Sequence, residues 1–221
     1  KTALVKKLVS EGKSYFLGRP RRFGKSLTLS MLKHYYDINR ADQFEKLFGD
    51  LYVGQHPTEE RNSYLVMDLD FSVIDGSLGN YRKSMDVHCN TKFNSFCDVY
   101  APYLSEGVKE AMNSKEGAGA QLEYLVNECA KAGRKIFLFI DEYDHFTNKI
   151  LSEPGCLEEY QSETHGTGYL RNFFDTIKSG TDSSIKRCFV TGVSPVTMDD
   201  LTSGFNIGTN YSTSPEFNEL V

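Results

Sequence analysis

The chain has 221 residues, of which 39% are hydrophobic and 25% charged, and carries a formal net charge of -5. That length suffices to bury one α/β core, the composition is unlike that of a disordered tail, and the acidic balance argues against a nucleic-acid footprint spread over the whole surface. No apolar run reaches the length of a membrane-spanning helix and Lys1-Thr2-Ala3-Leu4 does not open a secretory signal, so we expect a soluble, cytoplasmic protein with no membrane partner.

Taken in chain order, the apolar spacing of Ala3 to Val9 predicts a helix that Gly12 ends, followed by a short strand over Tyr15 to Leu17. After a glycine-containing basic loop, Leu29, Leu32 and Tyr36 recur at helical spacing and predict an amphipathic helix over Ser26 to Tyr36. Tyr64 to Phe71 begins as an apolar run and then alternates, which predicts an interior strand with Asp68 and Asp70 at its C-terminal end. Residues 78–132 hold helical patterns interrupted near Ser114 to Gly119 and form a helical crossover. Lys135 to Ile140 is the most apolar run and reads as a buried parallel strand ending at Asp141-Glu142. Glu153 to Gly168 reads as a mobile loop. Tyr169 to Ile177 is then a helix with Leu170, Phe173, Phe174 and Ile177 inward and Arg171 on or beside the other face. Ile185 to Thr191 is a further strand, and Phe205 to Tyr211 a candidate for one more.

Strands alternating with helices imply a mostly parallel sheet with helices on both faces, joined by right-handed crossovers, within one domain spanning 1–221. In such sheets ligands bind beyond the carboxyl ends of the strands. The loop after Leu17, the acids Asp141-Glu142 and the segment Thr191 to Ser194 all follow strand ends, so three distant segments converge on one rim. The missing initiator methionine and the end at Val221 without a closing element lead us to expect a piece of a longer protein.

Gly18-Arg19-Pro20-Arg21-Arg22-Phe23-Gly24-Lys25-Ser26 has the order of a phosphate-binding loop between strand and helix. Backbone N–H groups of such a loop converge on phosphate oxygens, and the helix N-terminus adds partial positive charge. Lys25 is expected to reach the terminal phosphates and Ser26 a magnesium ion, with Arg19 to Leu27 as the nucleotide-binding segment. The Gly-Lys-Ser half is regular. The first half is degenerate, because five residues rather than four separate Gly18 from Gly24 and Arg19 holds the first-glycine position.

Phosphoryl transfer to water needs neutralised phosphates, a metal ion and a group that orients the attacking water. Asp141 fits the acid that holds magnesium through its water shell, and Glu142 the general base, since alternation turns neighbouring side chains different ways. Thr191 and Ser194 are placed to touch the γ-phosphate or the attacking water, although a turn around Gly192 and Pro195 accounts for the same residues. Arg171 is a candidate arginine finger or sensor, set against the plain alternative of a solvated ion pair. Asp68, Asp144 and His145 lie near the same rim and read as structural.

Cys89, Cys97, Cys129, Cys156 and Cys188 are odd in number and form no closely spaced pairs, so reduced, packed thiols are expected and no metal is assigned to them. Arg19, Arg21, Arg22 and Lys25 place four cations in seven residues, which suits phosphate or a partner's acids better than nucleic acid, for no second basic cluster or interleaved aromatic accompanies them.

Tyr15 to Ser30, Asp141-Glu142-Tyr143-Asp144 and Val190-Thr191-Gly192-Val193-Ser194-Pro195 together resemble the AAA-ATPase-like domain family, with Phe205-Asn206-Ile207 and Pro215-Glu216-Phe217 similar to its closing segment. The resemblance implies an additional-strand P-loop NTPase core, a three-layer sandwich, in which ATP and Mg2+ are the ligands, Lys25 and Ser26 the phosphate and magnesium residues, and Asp141 with Glu142 the Walker B pair. An arginine is usual in that family where Arg19 stands. Members often continue into a PD-(D/E)xK nuclease-like domain, which would lie outside this chain, and a homo-oligomer is a further expectation. The resulting expectation is a magnesium-dependent ATPase that controls an effector domain. The alternatives are a regulatory module that binds nucleotide with little or no hydrolysis, and a DNA-binding or nuclease-associated module.

Overall fold

The computed structural model describes residues 14–18, 25–75, 77, 80–145, 148, 158, 161–162, 168–193 and 208–210. The expected helix over Ala3 to Val9, the loop residues Arg19 to Gly24, most of the stretch Glu153 to Gly168, and Ser194 and Pro195 lie outside them.

Five parallel strands form one sheet: β1 (Ser14–Gly18), β2 (Leu65–Asp70), β3 (Ile136–Asp141), β4 (Ile185–Gly192) and β5 (Gly208–Asn210), in the spatial order β2-β3-β4-β1-β5. Successive residues of a strand face opposite sides, and β1, β3 and β4 are apolar on both, so each of these three feeds two cores. Phe16, Leu138, Ile140, Cys188 and Val190 belong to one core. Tyr15, Leu17, Phe137, Phe139 and Phe189 belong to the other.

The second core is closed by α1 (Lys25–Tyr36), which buries Leu29, Leu32, Tyr35 and Tyr36, and by the short α2 (Phe44–Phe48), which adds Phe44 and Phe48; α3 (Tyr52–Gln55) follows. The first core is closed by α4 (Tyr81–Val99), α5 (Val108–Asn113), α6 (Gly117–Lys131) and α7 (Tyr169–Thr181). Helices on both faces make the three-layer α/β sandwich read from the sequence. The crossover between β2 and β3 breaks at Ser114 to Glu116 and resumes at Gly117, and α7 buries the expected Leu170, Phe173, Phe174 and Ile177.

One expectation is corrected. The strand read as interior, β2, is at the edge of the described sheet. Its burial alternates, with Leu65, Met67 and Leu69 buried and Val66, Asp68 and Asp70 half-buried, so the alternation was the better guide than the apolar run. The outer side of this edge is held by Tyr100, whose hydroxyl accepts from the Val66 N–H at 3.0 Å and donates to Asp37 Oδ1 at 2.9 Å. A side chain thereby satisfies a backbone donor that a neighbouring strand would otherwise take.

At the same N-terminal level of the sheet, Arg187 of β4 is 7% exposed and donates to Glu60 at 2.7 Å and to the Tyr15 hydroxyl. Cys89, Cys97, Cys129 and Cys188 are buried free thiols, and burial raises each one's pKa, as expected of packed rather than reactive cysteines; Cys156 lies outside the described residues. Among the described residues no helix is long and apolar enough to cross a membrane.

Candidate nucleotide site

The register of the sheet sets the site. Asp70 is opposite Asp141, Ile140 opposite Val190, Leu17 opposite Thr191 and Gly18 opposite Gly192. The C-terminal rim therefore carries, strand by strand, Asp70, Asp141, Thr191 and then the start of the basic loop. Alternation turns Asp141 and Thr191 toward the face covered by α1, because Phe139, Phe189 and Leu17 two places earlier or alongside belong to that core. The first residue of α1 is Lys25, so the helix delivers its ammonium to the same rim.

Lys25 is 6% exposed, and its Nζ donates to Glu142 Oε1 at 2.9 Å and to the Gly192 carbonyl at 3.4 Å. Glu142 has φ of 50°, in the left-handed region that a residue with a side chain seldom adopts. Such backbone persists only where its surroundings hold it. Here the Glu142 N–H donates to Asp141 Oδ1 at 3.0 Å, the His145 N–H donates to the Glu142 carbonyl at 3.0 Å, and the Tyr143 N–H donates to the Thr191 carbonyl at 3.1 Å. The tight turn lifts Glu142 off the strand and points it at Lys25.

Thr191 Oγ1 donates to Asp141 Oδ1. Burial raises the Asp141 pKa above the usual carboxylate range, against the lowering pull of the Thr191 hydroxyl; Glu142 and Asp70 add to the rise. A partly buried, electron-rich carboxyl at a strand end, beside a second carboxylate, is a fitting ligand for a hard divalent cation, whose charge would relieve the repulsion. Among the described residues no cluster of three or more His, Cys, Asp or Glu side chains is arranged to hold a metal by itself. Any such ion would thus depend on hydroxyl, water or phosphate oxygens besides Asp141, and Ser26 follows Lys25 directly.

The structure thus brings together Lys25 of α1, Asp141 and Glu142 from the end of β3 and the turn after it, and Thr191 of β4. Arg171, in the first turn of α7, donates from Nε to Asp175 Oδ2 at 3.3 Å, the helical ion pair that was its plain alternative. Asp68 pairs with Lys33 of α1 at 2.6 Å and serves to hold that helix on the sheet. One contributor was missed from the sequence. The Gly192 carbonyl is a backbone group and leaves no residue-type signal. Asp144, read from the sequence as structural, accepts the Val193 N–H on its carboxylate at 3.2 and 3.1 Å.

A parallel sheet in which β4 stands between the strand that feeds a basic loop and the strand that ends in acids defines an additional-strand P-loop NTPase domain. Residues 1–202 match the family model described as Predicted AAA-ATPase, and the chain belongs to this AAA-ATPase-like family of nucleotide-binding, ATPase-type domains. A curated relative, an uncharacterized protein in the vnfD 5' region of Azotobacter chroococcum mcd 1, is 28% identical over 206 residues. That match covers 93% of this chain and 35% of the relative, so the chain spans about a third of the relative's length. Among solved structures, Cdc6p from Pyrobaculum aerophilum is similar over 94% of this chain and 42% of its own, with a TM-score of 0.41 and 12% identity.

Proposed function

We propose that this domain binds ATP and hydrolyses it in a magnesium-dependent reaction, and that nucleotide state controls an effector domain. The observation that carries the reading is the Lys25 to Glu142 contact of 2.9 Å at the carboxyl rim of a parallel sheet, because it puts a phosphate-seeking cation and a proton acceptor in one place.

In this reading Arg19 and Arg21 to Gly24 supply backbone donors to the phosphates, Pro20 having no N–H to give, Lys25 binds the β- and γ-phosphate oxygens, and Leu27 flanks the bound nucleotide. Asp141 and Ser26 would hold Mg2+, which would neutralise phosphate charge. Glu142, released from Lys25 by the phosphates, takes a proton from the attacking water as that oxygen bonds to the γ-phosphorus. The bond from the γ-phosphorus to the bridging oxygen breaks, and its electron pair leaves with ADP. Thr191 reports the change to β4, and Arg171 would serve as finger or sensor only if it left Asp175. Such positioning and electrostatics carry most of the work in phosphoryl transfer.

Single-turnover hydrolysis of ATP by the purified domain tests this, with Glu142→Gln and Lys25→Ala as comparisons. Turnover well above that of Glu142→Gln supports the ATPase. Binding with turnover equal to Glu142→Gln leaves the second reading, a nucleotide-binding regulatory module, which the degenerate first half of the loop, with Arg19 in the first-glycine position, favours. A C-terminal nuclease-like domain and a homo-oligomer remain the partners this proposal entails, within a cytoplasmic protein.

A further inference from the structure

We infer that Asp144 is a positioning residue for the rim, fixing the turn that carries Glu142 against the strand end that carries Thr191 and Gly192; this rests on the ATP-hydrolysis reading. Asp144 is fully buried, at 0% exposure, in the turn three residues beyond Asp141. Its two carboxylate oxygens lie 3.2 and 3.1 Å from the Val193 N–H that they accept from, and Oδ2 also accepts from Asn148 Nδ2 at 3.1 Å. The Asn148 N–H donates in turn to the Asp144 carbonyl at 2.9 Å.

This clasp has a twin. One residue earlier the Tyr143 N–H donates to the Thr191 carbonyl at 3.1 Å. The two bonds land on either side of Gly192, and between them there is no slack: a Cβ on Gly192 would stand 2.3 Å from Tyr143 Cε1 and 2.7 Å from Asp144 Oδ1. Tyr143 itself is buried with its ring edge-on to Phe16 of β1, at 5.4 Å between centroids. The turn after β3 is therefore wedged between β1 and the end of β4.

Burying a carboxylate is costly, and an apolar side chain would fill the same space more cheaply. What the carboxylate adds is a directed acceptor for a main-chain donor two residues past Thr191. It sets the separation between Glu142 on one turn and the Gly192 carbonyl on the other, the two groups that share Lys25. Asp144 touches neither nucleotide nor water in this account. It acts through Glu142 and Thr191, so its loss should slow the chemical step more than it weakens binding.

The test is single-turnover ATP hydrolysis by Asp144→Ala and Asp144→Asn, expressed per nucleotide-binding site counted by ADP titration. Asp144→Ala should lose about 10- to 100-fold in turnover per site, the scale of an ångström-sized misplacement, with the ADP affinity within about threefold of the unmutated protein. Asp144→Asn, which keeps an oxygen for the Val193 N–H, should recover most of that loss. Should the alanine variant not fold, Asp144→Glu carries the same test, since its longer side chain displaces the Val193 turn while keeping the charge. Unchanged turnover per site, or loss of ADP sites in proportion to activity, overturns the positioning role and leaves Asp144 as packing. No turnover by the unmutated protein sinks the ATPase reading itself, and the Asp144 role with it.

Discussion

Lys25 Nζ stands 2.9 Å from Glu142 Oε1, so the cation proposed for phosphate and the carboxylate proposed for water are paired with each other. Each is sheltered, with side-chain exposures of 6% and 18%, which makes the pair stronger than a surface salt bridge. Incoming phosphate must displace it. Glu142→Gln weakens the competitor without enlarging the site, so ADP, which needs no hydrolysis, should bind about three- to tenfold more tightly to the variant, the equivalent of about 1 kcal/mol. Equal ADP affinities by fluorescence titration would show that the pair does not gate the lysine.

The raised pKa of Asp141 has a definite sign in stability. Because the folded state holds this proton more tightly than the unfolded chain does, stability is lost as pH climbs from the usual carboxylate range through the raised value, and the burial cost is complete at neutral pH. Thr191 Oγ1 and the Glu142 N–H both donate to Asp141 Oδ1, an acceptor that asparagine retains. Nucleotide-free Asp141→Asn should therefore melt higher than the unmutated domain at pH 7, with the difference vanishing toward pH 3. The same variant should lose the magnesium dependence of nucleotide binding. A lower melting temperature at pH 7 would contradict the electrostatic account.

Gly192→Ala should be among the more damaging small substitutions. Its Cβ would overlap the Tyr143 ring and the Asp144 carboxylate, and neither can move without opening the turn that holds Glu142. A loss of about 1–3 kcal/mol in urea unfolding is expected, the range for overpacking a close-fitted site. Wild-type stability would mean that the turn yields more readily than its hydrogen bonds suggest.

Tyr100→Phe isolates the edge of the sheet from the site. The ring is 3% exposed and stays packed, but the Val66 N–H loses its acceptor and Asp37 a donor. Leaving the half-buried Val66 N–H unpaired costs about 1 kcal/mol, while Asp37 Oδ1 keeps the Asn39 N–H, and nucleotide affinity should not change, since β2 contributes neither Lys25 nor Glu142. Faster amide exchange at Val66 would locate the effect.

Most of the fold was legible because local rules and tertiary burial agree here. The apolar run Ile136 to Ile140 suits a strand sheltered on both faces, and the stripe Leu29, Leu32 and Tyr36 suits a helix lying on the sheet. Val66, Asp68 and Asp70 are the exception, since an apolar start suggested an interior strand while the later alternation recorded an edge covered on one side. The chemistry of the site was also written in residue types, as Gly-Lys-Ser before a helix and Asp-Glu after a strand need no partner to be recognised.

Which groups meet was another matter. Lys25 and Glu142 are 117 positions apart, and their contact depends on β4 lying between β1 and β3 and on a left-handed turn at Glu142, neither of which is a property of a local stretch of chain. The Gly192 carbonyl and the clasp from Asp144 to Val193 depend on the same register. Composition and periodicity specify what each segment can bury and which charges it carries. Distances of three ångströms between segments follow only from the packing of the whole sheet, which is why the contact of Lys25 with Glu142 leaves no local signal in the sequence.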